Sequence, residues 1–215
     1  MPIRCLLWDF GDTLCDERFI WNSGPDWMEV YQSFDDGGLG ASWNLGELDT
    51  RQFAARLSER MDRSVASIIA HLIESCNHIR FFEKTYAFFR ARHLPQAIVT
   101  VNPDLFSEAI VPIYGFAADC DAIVTSWEEG TIDKNILNRL AMERMGLLDD
   151  TGDGGACENA QALLIDNKQS NIDAWVGSGG AGYHYTNDAT FERDSAGGVD
   201  ALTTRPRPSS AAPLR

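Results

Sequence analysis

Three stretches of the chain are short, apolar and bounded by turn-forming residues: CLLWDF from Cys5 to Phe10, QAIVTVN from Gln96 to Asn102, and ALLIDN from Ala162 to Asn167. Runs of this length and β-branched content read as buried strands of a parallel sheet. DAIVT from Asp121 to Thr125 and the segment from Gly182 to Thr186 predict two more strands. Between the first two strands the pattern changes to helical spacing. Asp49 and Gln52 stand at capping-box distance ahead of a helix through Phe53 and Leu57. Ser64 heads a second helix with Val65, Ile68, Ile69 and Leu72 as its apolar stripe. A third, around Phe82, Tyr86 and Phe89, leads back to the sheet at Pro95. After the second strand, Asp104 to Ile110 reads as helix. Lys134 to Met145 is amphipathic, with Ile136, Leu137, Leu140 and Met145 on related faces.

Strands alternating with helices predict an α/β fold: a Rossmann-like parallel sheet flanked by helices, with a small inserted helical cap. The core is expected over 1–14 and 96–194, and the cap over 15–95. A tail over 195–215, rich in Pro, Ser, Ala and Arg, is expected to be disordered.

In an open parallel sheet, ligands bind beyond the carboxyl ends of the strands. Asp9, Thr100 and Asp166 all fall at such ends, so adjacent strands would bring two carboxylates and a hydroxyl to one edge. Alone, Asp9 reads equally well as a turn cap. Together the three could hold a divalent cation and orient an anion, and oxygen-only ligands suit magnesium better than zinc.

At these residues the chain resembles the haloacid dehalogenase superfamily, whose members are mostly phosphatases working through a phosphoaspartate. The first family motif is a strand followed by D-x-D-x-T, here Asp9-Phe-Gly-Asp-Thr13. The second is a strand ending in Ser or Thr, matched by Ile98 to Thr100. The third is a lysine opening a later helix, for which Lys134 is the candidate, although it follows Gly130 at a longer spacing than in many relatives. The fourth is a strand ending in an acidic pair, matched from Ala162 to Trp175. Order and spacing agree from Ile3 to about Tyr185. The resemblance implies Asp9 as nucleophile, with Thr100 and Lys134 completing the catalytic set. It implies Mg2+ held by Asp9, the Gly11 carbonyl and Asp166, and substrate contacts from Thr100 and Asn167. Two departures stand out. The usual acid–base aspartate is replaced by Gly11, and the second acidic residue of the fourth motif by Asn167.

Composition narrows the partners. A formal net charge of −14 over 215 residues argues against nucleic acid or an anionic membrane surface, both of which demand basic patches. No apolar run approaches the ~20 residues of a membrane span. MPIRCLLWDF reads as a strand feeding the site and not as a cleavable signal peptide, so a cytoplasmic location is expected. Five cysteines without a C-x-x-C pair suggest neither a zinc site nor a disulfide framework. Cys15 could line the pocket or pack structurally.

Other signals have plainer readings. GSGGAG from Gly177 to Gly182 matches a dinucleotide-binding pattern but follows a helix and precedes a strand, the reverse of what phosphate binding needs. Asp149 to Asn159 partly imitates a calcium loop, yet its twelfth position is Ala160. His71 and His78 lack a third nearby ligand. Trp21, Trp27 and Trp43 are explained by helix packing.

The expected activity is a magnesium-dependent phosphatase acting on a small phosphorylated metabolite. The alternatives are a metal-free haloacid dehalogenase-type hydrolase and a regulatory protein that keeps the fold without turnover.

Overall fold

A computed structural model describes residues 2–19, 27, 32, 38–148 and 159–203. Five parallel strands lie in the order β3-β2-β1-β4-β5. They are β1 Cys5–Trp8, β2 Gln96–Thr100, β3 Ala122–Thr125, β4 Ala162–Asp166 and β5 Ala181–His184. The helices in chain order are α1 Leu39–Asn44, α2 Thr50–Met61, α3 Val65–Cys76, α4 Glu83–Arg90, α5 Val111–Tyr114, α6 Phe116–Asp119, α7 Ser126–Glu129, α8 Lys134–Arg144, α9 Gln169–Gly177 and α10 Asp188–Ser195. The first strand is central because the chain builds outward on one side through β3 and then restarts on the other with β4. That reversal leaves a crevice beyond the strand ends, beside β1 and β4.

Alternating side chains split the core between the two faces of the sheet. Leu6, Trp8, Ile98, Leu163 and Ile165 belong to one cluster; Cys5, Leu7, Val99 and Leu164 belong to the other, with Leu137, Ala141 and Met142 of α8. Continuing the alternation, Asp9 follows Leu7 toward α8, while Phe10 joins Trp8 in the first cluster. Phe10 packs edge-on against Phe106 at 4.8 Å and Phe116 at 5.7 Å. Truncating a buried ring of this kind costs about 3–5 kcal/mol. Trp8 donates its indole N–H to Gln96 Oε1, and the Gln96 amide in turn donates to the carbonyls of Phe89 and Asp119. This buried polar group is therefore satisfied on every side.

The expected helices of the insertion are present. Asp49 and Gln52 form the capping box of α2, and Ser64 caps α3. The chain leaves and returns on paired segments: Cys15 bridges Phe81, and Phe82 N–H donates to Leu14 O. Helix α4, which the sequence groups with the insertion, packs on the sheet side, where Phe89 meets Trp8 at 5.8 Å and Phe88 meets Phe191 at 5.3 Å. The insertion is also tied to the loop after β2. Buried Asp104 accepts hydrogen bonds from Trp43 Nε1, Thr50 N and Thr50 Oγ1, each at 2.7 Å.

One expectation is corrected at the C-terminus. Residues 196–203 are ordered against the core, with a short 3-10 helix from Val199 to Thr203 and Leu202 buried in the first cluster. Two apolar residues in a polar, glycine-rich stretch, buried Leu202 and partly buried Val199, dock it, and composition averages them away. The rest of the tail, 204–215, lies outside the described residues, as do Trp21 and most of the calcium-like loop. The helix from Asp104 runs on through a π-helical turn, Phe106–Ile110, into α5, with Pro112 as the second residue of that last segment. Among the described residues no helix is long and apolar enough to cross a membrane.

Candidate active site

Asp9 still belongs to the sheet, since its N–H donates to Ile165 O at 3.0 Å. Immediately beyond, three successive amides, Thr13 to Cys15, converge on the carbonyl of Phe10. Asp12 takes a left-handed conformation (φ 53°) to close this loop. The loop turns Thr13 back so that its hydroxyl donates to Asp9 Oδ2 at 3.3 Å. The same hydroxyl accepts from Asn167 N, joining the first and fourth motifs.

Lys134 arrives from the opposite side. Asp133 caps α8 by accepting from Asn135 N and Ile136 N, which makes Lys134 the first helical residue. Its ammonium donates to Asp9 Oδ1 at 2.6 Å and to the carbonyl of Val99, and lies 3.5 Å from Asp166 Oδ2. Asp166, fully buried, also accepts from Lys168 N and Asn171 Nδ2. Two buried carboxylates thus share one lysine. Burial raises the pKa of Asp9; Lys134 pulls it down and Asp166 pushes it up, and the net direction is upward.

A cavity of about 210 Å³ opens at this edge, lined among the described residues by Asp9, Gly11, Glu17, Thr100, Val101, Asn102, Ile132, Lys134, Lys168 and Asn171. Asp9, Gly11, Thr100 and Lys134 of the expected site are therefore together, with Asp166 directly behind Lys134. Thr100 Oγ1 accepts from Asn102 Nδ2 at 2.6 Å, which leaves its own proton available. Asn167 does not line the cavity; its backbone is held by Thr13 and by His184, whose Nε2 is 2.9 Å from its carbonyl. A larger groove of about 570 Å³ lies on the insertion and contains none of these residues.

Sequence reasoning missed Glu17, Lys168 and Asn171. Lys168 and Asn171 lie within the Ala162 to Trp175 match, just past its acidic-pair positions, where a helix beginning at a strand end turns its first residues toward the crevice. Glu17 had no pattern to mark it. Its carboxylate stands against Gly11: a Cβ at position 11 would lie 2.3 Å from Glu17 Oε2. Glu17 is exposed as a residue, but this close approach crowds its carboxyl end. That desolvation, reinforced by Asp12, raises its pKa.

Cys15 is fully buried beneath the loop, not in the cavity, and burial pushes its thiol pKa well up. His71 stacks on Trp27 at 3.5 Å, while the exposed His78 lies 3.1 Å from Glu74, so the two histidines have separate partners. Trp43 stacks on Phe53 at 3.9 Å. The glycine-rich stretch is the turn between α9 and β5; a Cβ at Gly180 would strike the Trp175 ring, so close packing accounts for that glycine.

The fold is haloacid dehalogenase-like, as the likeness to solved structures shows. No family model and no curated protein matches the chain. Among solved structures, it is similar to a predicted HAD-like family hydrolase from Porphyromonas gingivalis, with TM-score 0.65 and 13% identity over 87% of this chain and 93% of that one. A HAD family enzyme from Bacteroides thetaiotaomicron, in complex with magnesium and inorganic phosphate, matches with TM-score 0.61 and 16% identity over 86% and 95%. An L-2-haloacid dehalogenase from Xanthobacter autotrophicus, with chloropropionic acid covalently bound, matches with TM-score 0.61 and 14% identity over 98% and 92%.

Proposed function

We propose that the protein is a magnesium-dependent phosphatase that acts through an aspartyl phosphate on Asp9. The observation that carries this reading is the pairing of two buried carboxylates around Lys134, with Asp9 lining a small cavity and Asp166 directly behind. The donor set fits magnesium, which takes oxygen ligands and commonly binds through one or two carboxylates plus substrate phosphate. Asp9, the Gly11 carbonyl and Asp166 would hold the ion, which would neutralise charge on the phosphoryl group.

The protein groups do the rest. Asp9 attacks phosphorus in line. Lys134 holds the nucleophile in place and, with Thr100, binds phosphoryl oxygens. Lys168 and Asn171 add a cation and an amide at the cavity wall, and both suit a phosphate. Asn167 then acts through the loop that it ties to Thr13. Such catalysis is mostly positioning and charge neutralisation. The substrate in this reading is a small phosphorylated metabolite, with the protein working in the cytoplasm.

A dehalogenase reading has one observation in its favour, the 98% coverage of this chain by the haloacid dehalogenase likeness. Asp166 weighs against it, because a site that binds a carboxylate substrate without a cation gains nothing from a second carboxylate. Two assays separate the readings. Hydrolysis of 4-nitrophenyl phosphate is expected with magnesium and is expected to stop with a chelator. Chloride release from L-2-chloropropionate in chelator, without phosphate-ester hydrolysis, would overturn the phosphatase reading.

A further inference from the structure

We infer that Glu17 is the general acid and base of this site, supplying from a neighbouring turn the carboxyl group that Gly11 lacks; the inference rests on the phosphatase reading above. When Asp9 attacks phosphorus, the bond to the leaving oxygen breaks and that oxygen needs a proton. Gly11 has no side chain to provide one. Asp12, one residue on, is turned away: its Oδ1 accepts from Glu17 N at 3.2 Å, and it does not line the cavity. Asp166 is buried behind Lys134 with both oxygens hydrogen-bonded. Thr13 donates to Asp9 itself.

Among the described residues only two carboxylates line the cavity, Asp9 and Glu17. Asp9 is committed to phosphorus. Glu17 Oε2 lies 2.3 Å from where the first atom of a side chain at position 11 would be, so it occupies the space of the missing group. Its backbone is also fixed from both sides. Asp12 receives its N–H, and the preceding Asp16 is bound by Arg18 at 2.9 Å and Arg80 at 2.6 Å. The turn that carries the carboxyl group is thereby held against the cavity.

The chemistry balances in two steps. In the first, an oxygen of Asp9 bonds to phosphorus, the ester P–O bond breaks, and the Glu17 proton passes to the departing oxygen. In the second, Glu17 takes a proton from water as that water bonds to phosphorus. The Asp9–phosphorus bond then breaks, releasing phosphate and regenerating the Asp9 carboxylate and the Glu17 acid.

The test is a series of phosphate monoesters graded by leaving-group pKa, from 4-nitrophenyl phosphate to simple alkyl esters, with magnesium present. Wild type should depend weakly on the leaving group. Glu17→Gln, which preserves shape, should lose about 10²–10⁴-fold in kcat/KM on alkyl esters, with a loss at least tenfold smaller on 4-nitrophenyl phosphate. The double variant Gly11→Asp/Glu17→Ala, which moves a carboxyl group to position 11, should recover alkyl-ester activity relative to Glu17→Ala alone. Equal losses across the series in Glu17→Gln would overturn the role of Glu17. A wild type that leaves every ester intact would instead overturn the phosphatase reading itself.

Discussion

Glu17 and Gly11 share one volume: a Cβ built at position 11 would lie 2.3 Å from Glu17 Oε2 and 3.0 Å from Glu17 Cβ. A Cβ at position 11 would displace the Glu17 carboxylate and press on Glu17 Cβ. Gly11→Ala should therefore cost about 1–3 kcal/mol as the crowded turn shifts. In Glu17→Ala, which removes the carboxylate and leaves only the 3.0 Å contact with Cβ, the same substitution should cost less. Urea unfolding of the four proteins in this cycle should return a coupling of at least about 1 kcal/mol; additive losses would mean that the two positions do not compete.

The two carboxylates at the strand ends should separate by function. Asp9→Asn keeps the shape and removes the nucleophile, so turnover should fall by at least about 10³-fold. Asp166→Asn should chiefly raise the magnesium concentration for half-maximal rate, by about tenfold or more, with partial recovery at high magnesium. Steady-state rates against metal concentration distinguish the two behaviours.

Lys134 is the shared counter-charge of Asp9 and Asp166. Lys134→Met would leave two buried carboxylates facing each other without compensation. Breaking a buried pair in this way costs about 3–5 kcal/mol. Chemical denaturation at pH 7 in chelator should report the loss, and mild acidification should narrow it by protonating one carboxylate.

Asp104 links the loop after β2 to the insertion by accepting from Trp43 and twice from Thr50. Asp104→Ala removes the acceptor of three buried hydrogen bonds and should destabilise the protein by about 2–4 kcal/mol. Local opening should follow first at 43–50, so hydrogen exchange should accelerate there ahead of the sheet.

Asp16 joins the outgoing and returning segments of the insertion through Arg18 and Arg80. The Arg18 contact, with help from Arg80, holds its pKa well below the ordinary value of 3.8. A carboxyl group whose folded pKa is depressed stabilises the fold above its unfolded pKa, and that contribution is lost as pH falls through the folded value. Asp16→Asn should therefore lower the thermal midpoint at pH 7 and much less so in strong acid. An equal shift at both pH values would assign the effect to packing instead.

Much of this architecture can be read directly in the chain. Short apolar runs at Cys5, Gln96, Ala122 and Ala162 announce buried strands because a strand covered on both faces has no polar side to display. The last strand runs over Ala181–His184 where Gly182 to Thr186 was expected, one residue early at its start and two at its end, in a segment too glycine-rich for its pattern to set a boundary. The caps at Asp49 and Ser64 are local hydrogen bonds within four residues, and such chemistry is complete in sequence. That Asp9, Thr100 and Asp166 meet was also legible, because strand ends in a parallel sheet fall at one edge whatever their distance along the chain, whereas Lys134, which opens a helix, came only through the family resemblance.

Tertiary structure alone decided the rest. Whether Asn167 or Asn171 reaches the cavity depends on how α9 leaves β4, and one side points to the crevice while the other ties the loop to Thr13. The anchoring of Leu202 depends on a surface built by residues far earlier in the chain. Above all, nothing in the sequence relates Glu17 to Gly11. Their meeting follows from a loop closed by three amides on the Phe10 carbonyl and a left-handed Asp12, which folds position 17 back over position 11. Periodicity records which face a residue shares with its near neighbours; it carries no information on which side chain fills the space that a glycine leaves open.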